Sequence, residues 1–169
     1  MDTRTDLVTQ RRLGPSDLGL LAGWLREPHV ARWYAEPDEH SAWAANPAPD
    51  GSQAAITLET LKVGYLRWQR VDRDTLDALG LPEIPSNSVD ADILISDEGG
   101  TGKGLGPSAL KALAAKIPRD PTVPMIGLTT ELENTRAHRA FEKAGFRIAR
   151  QYKVPVLGLC HLMILELRP

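Results

Sequence analysis

Cysteine is nearly absent: Cys160 is the only one in 169 residues. No disulfide can form within the chain, which fits a reducing compartment, so a cytoplasmic protein is expected. The segment around Cys160 is apolar and carries no sign of thiol activation, so this residue is assigned to the core. No stretch approaches the roughly eighteen uninterrupted apolar residues of a membrane span. MDTRTDLV, at the start, has neither the basic nor the apolar region of a secretion signal. An excess of positive charge is also missing. Lys and Arg total 20 against 22 Asp and Glu, a net charge of −2, which offers no basic field to nucleic acid. Histidines number four; His138 falls on the polar face of its helix, and His40 and His161 have no partners at metal-ligand spacing, so no metal site is expected.

What is present fits one globular domain over residues 1–169, with 42% apolar and 25% charged residues to build a core and a surface. The near-neutral total conceals an asymmetry. Residues 71–98 carry Asp72, Asp74, Asp77, Glu83, Asp90, Asp92, Asp97 and Glu98 against Arg73 alone. Residues 134–153 carry Arg136, Arg139, Lys143, Arg147, Arg150 and Lys153 against Glu142. A molecule with one anionic and one cationic partner suits this distribution. Two ordinary solvated surfaces of opposite sign are the alternative.

Residues 89–106, VDADILISDEGGTGKGLG, read as a strand bearing two carboxylates, then a glycine cluster, then a helix. Clustered glycines let the backbone present N–H groups to an anion at a helix N-terminus, as in a pyrophosphate cradle. A triphosphate P-loop needs glycine at the place of Asp97 and Ser or Thr at that of Gly104, and a dinucleotide fingerprint needs glycine where Pro107 stands. Both are excluded. Further on, Ala137, Ala140, Phe141 and Ala144 recur at i, i+3, i+4, i+7, with Asn134 placed as an N-cap and Gly145 as a C′ terminator.

Around these blocks the pattern predicts a strand over 6–13, a helix capped by Ser16 and ended by Pro28, and a short helix over 38–45. A hairpin of 53–58 with 61–69 follows. Residues 71–88 have no sustained period beyond Leu76, Leu79 and Leu81, and read as an acidic loop. Strands are expected at 89–96, 123–129, 146–153 and 160–167, with one helix directly after the glycines, Pro107 near its first turn, and another over 135–144. Trp24, Trp43 and Trp68 are assigned to the core.

The segment Gly102-Lys103-Gly104-Leu105-Gly106, between its strand and helix, resembles the acetyl-CoA loop of the GNAT superfamily of N-acetyltransferases, although Thr101 stands where the family has Arg or Gln. Residues 134–146, NTRAHRAFEKAGF, are similar to the family's late helix, about thirty residues downstream of the loop. The order βααβββαβαββ matches as well, so the resemblance covers nearly the whole chain. With LREPHVARWY at 25–34, it is strongest to the aminoglycoside 6′-N-acetyltransferase branch, which includes kasugamycin-type 2′-N-acetyltransferases.

The resemblance implies an α/β (α+β) GNAT fold. Its central sheet is mixed, mostly antiparallel and twisted, has helices on both faces, and splays one parallel strand pair into a CoA cleft. It implies acetyl-CoA as co-substrate, held by the N–H groups of Gly102, Lys103, Gly104, Leu105 and Gly106, by the strand Ile93, Leu94, Ile95, and by Asn134, Ala137, Phe141 and Lys143. The Lys103 charge is either a phosphate contact or incidental, and Asn134 serves equally as a helix cap. The acceptor is a small cationic amine, an aminoglycoside, so antibiotic resistance follows. Asp92, ten residues before the loop's first glycine, is the base or amine anchor, with Asp90, on the same face by period two, in reserve. Asp90 and Asp92, with His29, Trp33, Tyr34 and Asp77, form the expected acceptor site. Phe141 stands where family members place a tyrosine acid, leaving water, Tyr152, Tyr65 or Tyr34 to protonate the thiolate. The sequence is compatible with a monomer or a homodimer. A siderophore-type acyltransferase, a peptide N-acetyltransferase and a non-catalytic CoA sensor are the alternatives.

Overall fold

The computed structural model describes residues 8–49, 51–96 and 104–168. Its strands are β1 (Val8–Arg12), β2 (Ser52–Leu58), β3 (Leu61–Arg70), β4 (Val89–Ile95), β5 (Met125–Glu131), β6 (Arg147–Val154) and β7 (Gly158–Glu166). They form one sheet in the order β1-β2-β3-β4-β5-β7-β6, antiparallel throughout except for β4 with β5. The helices are α1 (Asp17–Trp24), α2 (Pro28–Ala31), α3 (Pro37–Ala45), α4 (Arg73–Ala78), α5 (Leu105–Lys116, continued by a 3-10 turn) and α6 (Thr135–Lys143). None of them is long and apolar enough to cross a membrane.

Helices cover both faces. On one, Leu105, Ala109, Leu110 and Leu113 of α5 and Phe141 of α6 pack on Ala91, Ile126, Leu128 and Met163. On the other, Leu21, Trp24, Leu25, Val30 and Ala44 from α1–α3 pack on Tyr65 and Leu94. The period-two alternation of β4 serves both: Ala91 faces α5, and Leu94 faces α1–α3.

Three local expectations change. Pro28 does not merely end α1; it opens α2, because proline at the first helical position forfeits only an N–H that has no helical partner. The Ser16 side chain makes no cap bond; Asp17 reaches back instead, accepting from the Gly14 N–H at 2.7 Å, and pairs with Lys62. The acidic stretch 71–88 is packed structure. Asp72 caps α4 by accepting from the Thr75 N–H at 2.8 Å, and Leu76, Leu81 and Ile84 bury against Tyr152, Cys160 and Leu162. Asp77 pairs with Arg73 at 2.8 Å, and Glu83 pairs with Arg150.

At the centre of the sheet, β4 and β5 pair only at Val89↔Ile126 and Asp90↔Gly127. Past that point no β5 partner meets residues 91–95, and a wedge opens between the strands. The site is built around it.

Candidate active site

Strand geometry decides which groups of β4 face the wedge. The Ser96 N–H donates to the Val63 carbonyl at 2.8 Å, so even-numbered residues direct their main-chain groups toward β3 and odd-numbered ones toward the wedge. The carbonyl of Ile93 accepts the Tyr34 hydroxyl at 2.7 Å, and that of Ile95 meets Nε2 of His29 at 2.9 Å. Burial first, then the Asp92 charge, pushes the Tyr34 hydroxyl well above the ordinary phenol value, so it stays a donor. The α2 region is thereby tied to the strand edge.

A cavity of about 770 Å³ opens on one side of this edge. Ile93, Leu94 and Ile95 form one wall, the N-terminus of α5 from Gly104 to Pro107 another, and α6 with Asn134, Ala137, Phe141 and Lys143 a third. Gly104 has φ of 77° as the N-cap of α5, a conformation in which a Cβ is strained. With Pro107 lacking an N–H, the first-turn donors belong to Leu105 and Gly106. Arg32, Arg136, Arg139 and Lys143 add positive charge against Glu133 alone. A helix N-terminus with four bases around it suits a phosphorylated ligand, and a strand edge that β5 does not pair suits a chain of amides. A CoA-type molecule has both. Asn134 does cap α6, its Oδ1 accepting from the Ala137 N–H at 3.2 Å. The proposed cradle residues Gly102 and Lys103 lie outside the described residues.

A second cavity, about 340 Å³, meets the first where Trp33, Tyr34, Ile93, Asn134, Ala137 and Phe141 line both. Its wall is acidic, with Glu36, Glu39, Asp92 and Glu131 and no lysine or arginine among the described lining residues. A hydrogen bond to Glu39 and that residue's charge raise the Glu36 carboxyl; burial and then Glu133 raise that of Glu131. Carboxylates close enough to raise one another's proton affinity set up a negative field, and such a field attracts a polycation. Two non-glycine residues with positive φ, Glu36 at 57° and Val156 at 73°, also line this cavity, and backbone strain of this kind collects at functional sites.

Asp92 is not a lone carboxylate. Nε and a terminal nitrogen of Arg67, on the opposite residue of β3, both reach its Oδ2 at 3.0 Å, and the Arg67 guanidinium lies over the Trp43 ring at 4.7 Å. Trp43 is therefore a half-buried platform for Arg67 rather than core. Arg67, His40, Glu36, Glu39 and Glu131 were invisible as site residues in the sequence, since no local motif surrounds them. Period-two counting along β3 puts Arg67 on a half-buried face, but only the β3–β4 register places it opposite Asp92. His29 lines the larger cavity, not the smaller one expected for it. Asp77 lines neither. His138, expected on a polar helix face, packs edge-on against His161 with ring centroids 4.7 Å apart.

Asp90 lies beside Asp92 on the same strand face and lines neither cavity. It is solvent-exposed by area yet surrounded by protein. That desolvation, then the Asp92 charge, pushes its carboxyl from 3.8 up to about 7, with Arg67 opposing. Because water reaches the carboxylate, screening weakens the effect without changing its sign. A raised carboxyl contributes stability below its unfolded value that is lost as pH rises toward 7. Asp90→Asn is accordingly expected to melt higher than the parent at pH 8, the gap closing as pH falls from 7 to 4. Thermal melts across that range check this, and a gap that widens toward acid contradicts it.

A profile described as an acetyltransferase (GNAT) domain matches residues 15–154. Aminoglycoside N(6')-acetyltransferases type 1 of Klebsiella pneumoniae and Serratia marcescens are each 29% identical over 150 residues, covering 83% of this chain and 74% of theirs. The crystal structure of the aminoglycoside acetyltransferase AAC(6')-Ib with coenzyme A and kanamycin is 25% identical, with a TM-score of 0.78 over 94% of both chains. The same protein with acetyl-CoA and paromomycin gives 0.78 at 24% identity over 94% of this chain and 93% of that one. The profile match, the wedge between β4 and β5 and the glycine-capped helix beside it agree: the chain belongs to the GNAT acetyltransferase family.

Proposed function

We propose that the chain transfers the acetyl group of acetyl-CoA to an amino group of an aminoglycoside, and so confers resistance to it. The observation that carries this reading is the junction of two cavities of opposite charge. The basic cavity suits the phosphates and amide arm of the co-substrate; the acidic one suits a small polycation. Trp33 and Tyr34 offer ring surface to sugar C–H groups at the junction. The names of the relatives direct attention first to the 6′-amino group.

Acetyl-CoA supplies a thioester carbonyl as electrophile. The remaining work falls to this chain. Leu105 and Gly106 at the start of α5 donate N–H groups to the diphosphate. The wedge edge of β4 aligns the pantetheine, and the main-chain N–H of Ile93 or of Ile95 stabilises negative charge on the carbonyl oxygen. Asp92, held by Arg67, binds the incoming ammonium at the mouth of the wedge. Phe141 packs under the junction and donates nothing. Because a thiol's reference pKa is about 8.5, water suffices to protonate the departing thiolate. Phe141→Tyr is therefore expected to leave kcat near the parent value or raise it modestly when measured by steady-state kinetics; a large loss contradicts this account of the leaving group.

The reading is tested by expressing the chain in a susceptible bacterium and fragmenting the recovered antibiotic by mass spectrometry. The expected result is growth at raised aminoglycoside concentration with one acetyl group on a single amino nitrogen. Preferential acetylation of a lysine peptide or a siderophore precursor over every aminoglycoside contradicts it.

A further inference from the structure

We propose that His40 is the proton acceptor for the attacking amine, while Asp92, engaged by Arg67, orients the ammonium. The proposal rests on the transfer reading of this site and assigns a step within it.

The geometry begins with the sequence of α3. Pro37 opens the helix after the strained Glu36, and His40, in the first turn, lines the acidic cavity together with Asp92 and Ile93. Its imidazole stands edge-on to the Tyr34 ring, with centroids 5.1 Å apart and planes at 70°. Tyr34 is itself fixed by its 2.7 Å bond to the Ile93 carbonyl. His40 is thus one ring removed from the strand edge on which both cavities meet. A hydrogen bond to the Ala35 main chain occupies one side of the imidazole. A neutral imidazole so engaged presents its other nitrogen as an acceptor.

The charged and titratable groups around it are Arg67 from β3, Asp92 from β4, Glu39 from its own helix and Tyr34 from the segment before that helix. Burial first and then the Arg67 guanidinium hold the imidazole below the ordinary 6.5, against Asp92, Ala35 and Glu39. His40 is then neutral and able to accept at pH 7. Asp92 is in the opposite position. Both guanidinium contacts go to its Oδ2, and protonating the carboxylate would leave a cation with 21% side-chain exposure without its counter-charge.

The step balances as follows. The ammonium is first held by Asp92 and then loses one proton to solvent, and the neutral nitrogen forms a C–N bond to the thioester carbonyl carbon. The C–S bond breaks with its electron pair going to sulfur, which takes a proton from water. The surplus proton on nitrogen passes to His40 and from there to solvent.

The test compares the parent with His40→Ala in the full chain, using CoA-thiol release with kanamycin as acceptor. The parent is expected to lose kcat/KM as pH falls through a midpoint below 6.5, the ordinary histidine value. His40→Ala is expected to lose about 10²–10⁴-fold in kcat, to lack that acid limb, and to regain activity with added imidazole. Acetyl-CoA affinity by calorimetry stays at the parent value, since His40 does not line the larger cavity. A readout independent of turnover is the His40 ring proton resonance, identified by its absence in His40→Ala, which is expected to titrate below the ordinary value. A variant that matches the parent in kcat and keeps the acid limb, or a resonance titrating above that value, overturns the role of His40 alone. A parent inactive on every aminoglycoside overturns the function proposed above, and this role with it.

Discussion

Gly104→Val is expected to abolish measurable acetyl-CoA binding while leaving the fold intact. Gly104 caps α5 with φ of 77°, where a β-branched residue is a genuine outlier. A left-handed conformation costs an ordinary residue about 1–2 kcal/mol, so relaxation of the cap would turn the first-turn N–H groups of Leu105 and Gly106 away from the cavity. A valine that kept the conformation would instead place its side chain on the cavity wall, where the diphosphate must approach. Each charge-assisted bond lost is worth about 1.5–3 kcal/mol, so forfeiting two lowers affinity by two decades or more. Calorimetric titration reads this directly. Leu105, Ala109, Leu110 and Leu113 still hold α5 against the sheet, so the melting temperature should fall by only a few degrees. Retained affinity in a folded variant contradicts the cradle.

Asp92→Asn should act on the other cavity. Asparagine keeps the shape but leaves the Arg67 guanidinium, stacked over Trp43, uncompensated behind the wall of a cavity suited to cations. Removing one partner of a desolvated charge pair costs about 2–5 kcal/mol; with side-chain exposures of 21% and 36%, the lower half of that range applies. A loss of roughly two decades in kcat/KM is expected, together with a raised acceptor KM. Acetyl-CoA affinity should be unchanged, because Asp92 lines only the smaller cavity. The double variant Asp92→Asn with Arg67→Met should recover part of the loss, since it removes the repulsive cation. An additive or larger loss in the double variant contradicts the account of Arg67 as the group that sets the charge of this site.

How far the sequence foretold this arrangement depended on how local the determining physics is. The glycine-capped α5, the Asn134 cap with its Ala137 bond, and Gly145, at φ of 100°, are fixed by residues within a few positions of one another, and each matched its expectation. Among the described residues the strand ends lie within two residues of their expected places, while residues 6 and 7 of the expected first strand lie outside the described residues. Residues 71–88 misled because an acidic, aperiodic stretch looks solvated. Asp72 instead caps α4, Asp77 pairs with Arg73 and Glu83 with Arg150, and only three-dimensional packing against β6 and β7 supplies the last partner. The acidic cavity was the least legible part. Asp92 was found through a motif, but Arg67 is 25 residues from it and His40 is 52 away, and they converge through sheet register and the docking of α3. Tyr34 was expected in the acceptor site; its hydroxyl bond to the Ile93 carbonyl, which ties the ring to β4, has no signature in sequence.

The most direct test of the central claim is CoA-thiol release from acetyl-CoA across a panel of aminoglycosides, including kanamycin and kasugamycin, with spermidine and a lysine peptide as controls. The account predicts rapid, saturable turnover of at least one aminoglycoside and little of either control. Tight acetyl-CoA binding with no turnover of any aminoglycoside, or preference for the peptide, would contradict it.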